Sequence, residues 1–248
     1  MPQTLTEHLR AANRILVFTG AGISTPSGIP AFRGAGGIWT TRQPVMYQDF
    51  MAHEESRVEY WDYKLELWEE HRDAEPNSIH QAIVQLEQAG KVEMVVTQNV
   101  DGLHRAAGTS EDKLVEVHGT GTLVECQTCG HRETPQPSFD LFKRERRSPR
   151  CECGGYLKPA TISFGQSLRE EDLARADAAA RFCDLILALG STLSVSPANL
   201  IPLAAAQAGT PYLIINRDDT DHDSLPQVTL RLFGNVEDYF PQAVDEAL

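Results

Sequence analysis

The sequence lacks three features that would each point to a class of protein. No apolar run among its 248 residues approaches the roughly 20 residues that cross a bilayer. Lys and Arg number 22 against 35 Asp and Glu, and this net charge of −13 argues against general binding to nucleic acid, which needs a basic face. The first 14 residues have Glu7 and Arg10 where a signal peptide has its apolar core. We therefore expect a cytoplasmic protein with no membrane partner.

Cysteine is also scarce, and an odd total of five suits metal binding in a reducing compartment better than disulfides. Four cysteines form two close pairs, each followed by glycine: Cys126 with Cys129, and Cys151 with Cys153. Four thiolates fill a tetrahedral zinc site and leave no position for an activated water, so the expected zinc is structural. Cys183 stands alone and is expected to be a small buried hydrophobe.

Short apolar runs alternate with helical patterns, which predicts an α/β fold with a parallel, doubly wound sheet of about six strands. The predicted strands are 15–18, 92–96, 114–117, 184–189, 212–215 and 228–232, with an extended segment over 161–166. The predicted helices are 5–12, 54–72, 77–90, 170–180 and 196–209, and a last helix carries Val236, Phe240 and Val244 on one face. Tyr60, Trp61 and Tyr63 form an aromatic stripe typical of core packing. The basic stretch 135–150 is expected to be a solvated loop.

Polar residues follow several of these strands where a parallel sheet has its carboxyl edge. Gly20-x-Gly22 follows the first strand, Gln98-Asn99-x-Asp101 the second, and His118 the third. Taken singly, these are also the residues of a tight turn, a helix cap and a structural histidine. Taken together, they predict a nucleotide crevice at that edge. Hydride transfer fits poorly, since Thr25 occupies the position of the fingerprint's third glycine.

The motifs together resemble the sirtuins of bacterial type, which are NAD-dependent protein-lysine deacylases. The residues that carry the resemblance are Gly20-Ala21-Gly22-Ile23-Ser24, Gly28-Ile29-Pro30-Ala31-Phe32-Arg33, Thr97-Gln98-Asn99-Val100-Asp101-Gly102-Leu103-His104, His118-Gly119, the paired cysteines, Phe164-Gly165, Gly190-Ser191-Thr192, Asn216 and Gly234-Asn235-Val236. They follow the family's order over nearly the whole chain.

The resemblance implies a Rossmann-like NAD-binding domain built from 1–36, 76–120 and 158–248. It also implies a small domain built from a helical insert, 37–75, and the structural zinc module, 121–157. NAD and an acyl-lysine peptide would meet between the two.

The resemblance also implies roles for particular residues. NAD would bind to Gly20, Ala21, Thr25, Phe32, Arg33, Gln98, Asn99, Asp101, Gly190, Ser191, Thr192, Asn216 and Val236. The peptide would add a strand beside Ile162, Phe164, Gly165 and Val195. His118, Asn99 and Asp101 would be catalytic, with His118 as the general base that deprotonates a ribose hydroxyl. The products would be nicotinamide, free lysine and O-acyl-ADP-ribose.

Three departures from the family pattern bear on the substrate. Ala31 and Gln166 each stand where an acid is frequent. Lys64 stands where members that remove acidic acyl groups have arginine, and Asp62 nearby would repel a carboxylate, so neutral acyl groups are expected. The alternative functions are an NAD glycohydrolase, a mono-ADP-ribosyltransferase and a non-catalytic NAD or ADP-ribose sensor.

Overall fold

The computed structural model describes residues 3–31 and 43–248. The helices are α1 (Leu5–Ala11), α2 (Tyr47–Ala52), α3 (Glu54–His71), α4 (Ser78–Gln88), α5 (Leu103–Ala107), α6 (Pro135–Glu145), α7 (Glu170–Phe182), α8 (Leu200–Gln207) and α9 (Phe240–Ala247). The strands are β1 (Ile15–Thr19), β2 (Val92–Thr97), β3 (Leu114–Glu116), β4 (Gly119–Cys126), β5 (Arg132–Glu133), β6 (Leu157–Thr161), β7 (Leu185–Leu189), β8 (Tyr212–Asn216) and β9 (Val228–Phe233). Within these two ranges, no helix combines the length and the apolar character of a membrane span.

The larger sheet has the strand order β3-β2-β1-β7-β8-β9, and every pair in it is parallel. The first half of the chain builds outward from β1 on one side, and the second half builds outward from β7 on the other. The strand order therefore reverses between β1 and β7, which is where open α/β sheets bind their ligands. The predicted fold class is confirmed.

Alternate residues of each strand face opposite sides of this sheet, and each side has its own core. Ile15 and Val17 face the layer of α1, α4 and α9, where Leu9 and Phe240 are fully buried. Leu16 and Phe18 belong to the other core, where small residues of α7 and α8 pack closely. This apolar character on both faces is what a parallel sheet covered on both sides requires.

A second layer of structure carries the predicted aromatic stripe. The antiparallel sheet β5-β4-β6 packs with α2, α3 and α6 around a third core. Tyr60 and Trp61 are almost fully buried there, and the Trp61 ring lies 5.3 Å from that of Phe139. The interpretation of the stripe as core packing is confirmed.

Three local predictions are wrong. The basic stretch is not a loop but forms α6, because Phe139 and Phe142 share one helix face and bury it against Trp61. Helix α8 begins at Leu200, after a turn over 196–199. The predicted extended segment 161–166 ends its strand at Thr161 and turns over 164–166.

Two buried histidines lie beside each other where α4 meets α5. His80 of α4 and His104 of α5 have ring centroids 5.1 Å apart. Burial lowers the pKa of His80 to about 4. Burial, with a smaller contribution from His80, lowers the pKa of His104 to about 3. The His104 Nε2 atom lies 3.0 Å from Thr19 Oγ1, which donates to Thr97 Oγ1. Both rings are therefore neutral at pH 7, and His104 links α5 to the paired threonines of β1 and β2.

We expect the free energy of unfolding to fall as the pH is lowered from 6.5 to 5.0. In this range the unfolded chain's histidines take up protons at an ordinary pKa near 6.5, whereas the two buried rings do not. Each buried histidine adds a slope of up to about 1.4 kcal/mol per pH unit, measured by urea denaturation. His80→Gln should remove one such slope, while the matched variant at exposed His53, His53→Gln, should not. Equal slopes in both variants and the wild type would contradict the prediction.

Candidate active site

Three glycines bring the carboxyl ends of β1 and β7 into backbone contact. Gly20 N donates to Leu189 O at 3.0 Å, and Gly22 N donates to Gly190 O at 2.8 Å. A Cβ atom on Gly22 would lie 2.7 Å from Gly190 Cα, and one on Gly190 would lie 2.5 Å from Ile23 N. Side chains are therefore excluded at the point where the strand order reverses. The exposed backbone there is the kind of surface that nucleotide phosphates approach.

The segment after β2 carries polar side chains that bind neighbouring loops. Gln98 Nε2 donates to Ser191 Oγ at 2.8 Å. Asn99 Nδ2 donates to Ser24 Oγ at 3.1 Å, and Ser24 Oγ donates to Asp101 Oδ2 at 2.8 Å. These bonds connect the loops after β1, β2 and β7. Hydrogen bonds within the protein thus hold these side chains in place.

The side-chain carboxyl group of Asp101 is partly buried between these loops. Burial raises its pKa above the ordinary value, although hydrogen bonds from Leu103 N and Ser24 Oγ oppose the shift. A raised pKa brings protonation of the carboxyl closer to physiological pH, which is typical of functional sites. Ser24 belongs to the first sequence motif, but sequence analysis gave it no separate role. Its partners became visible only in the fold.

His118 lies between β3 and β4 and lines the same cavity as Gln98 and Asn99. Its Nδ1 atom lies 3.1 Å from the carbonyl oxygen of Gln98. A carbonyl oxygen can only accept a hydrogen bond, so Nδ1 carries the proton and Nε2 has the lone pair in the neutral ring. Gly119, which follows, has φ +72°, and a Cβ atom there would lie 2.1 Å from Ala160 O. Glycine thus lets β4 pass close to β6 beside the histidine.

The segment after β6 is bonded to its surroundings mainly through its backbone. Ile162 N donates to His118 O at 2.7 Å. Phe164 O accepts from Tyr47 N at 2.8 Å, and Gly165 O accepts from Gln48 Nε2 at 2.9 Å. Helix α2 therefore holds one end of the segment, and His118 holds the other.

All of these elements surround one cavity of about 690 Å³. The predicted site residues that line it are Gly20, Ala21, Thr25, Gln98, Asn99, His118, Ile162, Phe164, Gly165, Gly190, Ser191, Thr192, Val195, Asn216 and Val236. Asp101 lines a smaller cavity of about 200 Å³, which shares five lining residues with the first, namely Ala21, Lys64, Asn99, Val100 and Thr161. Phe32 and Arg33 lie outside the described residues.

Helix α3 contributes lining residues, and sequence analysis gave two of them, Tyr60 and Tyr63, no role in the site. Tyr60 and Tyr63 belong to the third core and also line the larger cavity, while Lys64 lines both cavities. The available signal was the chemistry of the stripe, since two of its aromatic residues carry hydroxyl groups and a lysine follows them. Asp62 lies outside both linings and forms an ion pair with Arg146 at 2.7 Å. The expected repulsion of a carboxylate by Asp62 is therefore wrong.

The four paired cysteines form one cluster, with all Sγ atoms within 4.8 Å of one another. Cys126 Sγ lies 3.5 Å from Cys153 Sγ, and Cys129 Sγ lies 3.8 Å from Cys151 Sγ. Zinc–sulfur bonds of about 2.3 Å in a tetrahedron require sulfurs about 3.8 Å apart, so the cluster fits a single structural zinc. Cys183 lies elsewhere and is buried, as predicted.

Comparison with known proteins agrees with this geometry. A family model described as the Sir2 family matches residues 20–197. This chain belongs to the Sir2 family. NAD-dependent protein deacetylase 1 of Bradyrhizobium diazoefficiens is 42% identical over 233 residues, which cover 92% of this chain and 90% of the relative. NAD-dependent protein deacylase 2 of Archaeoglobus fulgidus is 35% identical, with coverage of 97% and 93%.

Solved structures of Sir2 proteins share the whole fold. A Sir2 complex with a p53 peptide and NAD+ aligns with a TM-score of 0.85 and 31% identity, covering 96% of this chain and 95% of that one. Sir2Tm bound to a propionylated peptide aligns with a TM-score of 0.83 and 30% identity, covering 96% and 94%. The family expected from the motifs is confirmed.

The glycine contact predicts a large effect of Gly190→Ala. Gly190 has φ +63° and faces the backbone of Ile23. We expect the variant to lose about 3 kcal/mol or more of unfolding free energy in urea denaturation, through backbone strain and the forced separation of the two strands. Gly209 is a matched control, with φ +97° but no atom within 4 Å of an added Cβ. Gly209→Ala should lose only about 1–2 kcal/mol, and equal losses would contradict the prediction.

The cysteine cluster predicts one zinc ion per chain, measurable by atomic absorption. Cys151→Ser should lose the zinc and melt at a lower temperature, because the third core packs against the cluster through Cys126 and Cys151. Cys183→Ser should keep the zinc. Full zinc content in the Cys151 variant would contradict the assignment.

Proposed function

We propose that this protein is an NAD-dependent protein-lysine deacylase, which transfers an acyl group from lysine to ADP-ribose and releases nicotinamide. The observation that carries the proposal is a single cavity. This cavity is lined by the bare glycine backbone between β1 and β7, where the strand order reverses, by His118, and by the segment Ile162 to Gly165. A nucleotide site, a base and a peptide-pairing segment thus open into the same space. Family membership supports the same reaction.

We propose that NAD lies along the carboxyl edge of the larger sheet. The glycines there leave room for phosphates, which fits the group, and Ala21 and Thr25 line that loop. Ser191, Thr192, Asn216 and Val236 would hold the adenosine half, with Gly190 beneath it. Phe32 and Arg33 complete the proposed set. When bound, NAD supplies the ribosyl carbon that accepts the acyl oxygen as nicotinamide leaves.

Gln98, Asn99 and Asp101 are the proposed residues for nicotinamide and its ribose. Asn99 is 5% exposed, and the carboxyl of Asp101 is dry enough to have a raised pKa. A water-poor pocket with fixed amide and carboxyl groups suits a step that depends on positioning more than on a strong nucleophile. We therefore propose that Asn99 and Asp101 act catalytically by orienting the reacting end.

His118 is the proposed general base. The bond from its Nδ1 to Gln98 O fixes the ring and leaves the lone pair on Nε2, the atom that would take a proton from a ribose hydroxyl. Imidazole is the side chain most often used as a general base in proteins. The proton acceptor is thus oriented by the backbone of the nicotinamide-side loop.

The proposed substrate is a protein or peptide that carries an acylated lysine. It would add a strand beside Ile162, Phe164 and Gly165 on one side and Val195 on the other. We propose a preference for neutral acyl groups, which rests on Lys64. Its ammonium lies 5.5 Å from the centroids of the Tyr60 and Tyr63 rings, and it lacks the fork with which arginine grips a carboxylate.

Two further proposals concern the chain as a whole. We propose that it works in the cytoplasm, where a reducing environment would keep the four clustered thiols available for zinc. We also propose the division into an NAD-binding domain (1–36, 76–120 and 158–248) and a small domain (37–75 and 121–157). The separate third core of α2, α3, α6, β4 and β6 supports a distinct small domain.

The test is nicotinamide release from NAD with and without an acetyl-lysine peptide, with mass spectrometry of the ADP-ribose product. We expect peptide-dependent release and an acetylated ADP-ribose. His118→Ala should keep peptide-dependent nicotinamide release but lower lysine formation at least about 100-fold, since it removes only the base. His131→Ala, at an exposed histidine outside the cavity, is the control. Release of plain ADP-ribose without peptide would indicate a glycohydrolase. Protein that becomes modified with ADP-ribose would indicate an ADP-ribosyltransferase, and binding of NAD without turnover would indicate a sensor.

A further inference from the structure

A buried lysine lies beside the segment Ile162 to Gly165, which is proposed to pair with the peptide, and this lysine has no part in the function proposed above. Lys158 lies in β6 and is 0% exposed, while its neighbours Thr161 and Ser163 line the larger cavity. Burying an ammonium costs several kcal/mol unless good acceptors surround it. The acceptors of Lys158 therefore indicate what the side chain holds.

The ammonium of Lys158 is hydrogen-bonded to the end of β6 and to the start of the segment that follows it. Its Nζ atom donates to Thr161 O, to Pro159 O at 3.3 Å and to Ser163 Oγ at 3.3 Å. Two of these three acceptors belong to the residues on either side of Ile162. Ile162 is the residue whose N–H donates to the carbonyl of His118. Lys158 thus fixes both neighbours of the residue that is bonded to the proposed base.

Tyr60 of α3 completes this buried cluster. Its hydroxyl lies 3.0 Å from Thr161 Oγ1, and its ring centroid lies 5.4 Å from Lys158 Nζ. Burial alone would raise the pKa of Tyr60, but the ammonium of Lys158, and then that of Lys64, lower it to about 7. Burial in turn lowers the pKa of Lys158. A phenol and an ammonium therefore hold Thr161 by its side chain and its main chain at once.

We propose that Lys158, together with Tyr60, is a positioning residue for the acyl-lysine peptide. It fixes the segment 161–163 so that Ile162 stays bonded to His118 and Phe164 meets the incoming strand in register. The inference rests on the proposed function, because it concerns the peptide of that reaction. It adds a residue that touches neither peptide nor NAD and acts through the segment.

A purely stabilising role would have different consequences. Replacing a buried charge and its partners by apolar groups of similar size is often neutral or stabilising, so Lys158 is poorly explained by stability alone. The bare glycines proposed for NAD belong to the loops after β1 and β7, whereas the acceptors of Lys158 belong to β6 and the segment after it. Loss of Lys158 should therefore affect the peptide and not NAD.

The experiment measures steady-state kinetics of Lys158→Met with acetyl-lysine peptide and NAD varied separately. Methionine keeps the length of the side chain but donates no hydrogen bond. We expect the KM for peptide to rise about tenfold, as expected for the loss of charge-assisted bonds that orient the segment. The KM for NAD should stay within about twofold of the wild-type value, a change that corresponds to less free energy than one such bond contributes. Lys158→Arg keeps the charge and the donors, so its KM for peptide should be close to that of the wild type.

Two further variants keep the test decisive if Lys158→Met folds poorly. Tyr60→Phe removes only the hydroxyl at Thr161 and should raise the peptide KM about threefold, as expected for one neutral hydrogen bond. Lys91→Met is the matched control, because Lys91 Nζ also donates three hydrogen bonds, in its case to the backbone carbonyls of Leu9, Arg10 and Ala12. Lys91 lies outside both cavity linings, so its loss should lower the melting temperature and leave the peptide KM unchanged.

The outcomes separate the inference from the proposed function. A wild-type chain that neither binds nor turns over the acetyl-lysine peptide would contradict the function, and the inference would fall with it. A wild type that turns over the peptide, with a Lys158→Met variant of unchanged peptide KM, would overturn the inference alone. Equal rises in the KM values for peptide and NAD, or the same rise in Lys91→Met, would also overturn it.

Discussion

The structure depends on a contact in which no side chain takes part. The backbone of Gly20 and Gly22 lies directly against that of Gly190, and this contact extends the pairing of β1 with β7 that joins the two halves of the larger sheet. Any Cβ atom there would separate the two halves. The same absence of side chains leaves bare backbone at the carboxyl edge of the sheet. Stability of the fold and access for a nucleotide are thus two results of one steric constraint.

The polar residues of the cavity extend this constraint, because they bind each other across the loops that the glycines bring together. Gln98 reaches Ser191, and Asn99 reaches Ser24, which in turn holds Asp101. Each bond fixes a side chain that the proposed reaction needs. The apolar cores lie on either side of the larger sheet and within the second layer, so the cavity is the region where hydrogen bonds, rather than packing, fix the geometry.

The sequence predicted the parallel sheet, its polar edge and the cysteine pairs because each is encoded locally, in periodicity or spacing. It failed where tertiary context decided the outcome. The charges of the stretch 135–150 suggested a loop, whereas Phe139 and Phe142 form a helix face only because Trp61 is there to cover it. The orientation of Asp62 was unpredictable because its partner, Arg146, is distant in sequence. The surroundings of Lys158 were unpredictable because they include Tyr60, which lies about 100 residues earlier in the chain.

His118 stands where the chain passes from one sheet to the other, since β3 ends at Glu116 and β4 begins at Gly119. Its ring is bonded to Gln98, beside the larger sheet, and its carbonyl is bonded to Ile162, beside the smaller one. Any shift of one sheet against the other must break one of these bonds or carry the imidazole along. The position of the proposed proton acceptor therefore depends on the alignment of the two sheets, and a shift of one sheet against the other would displace the proposed base and stop the proposed acyl transfer.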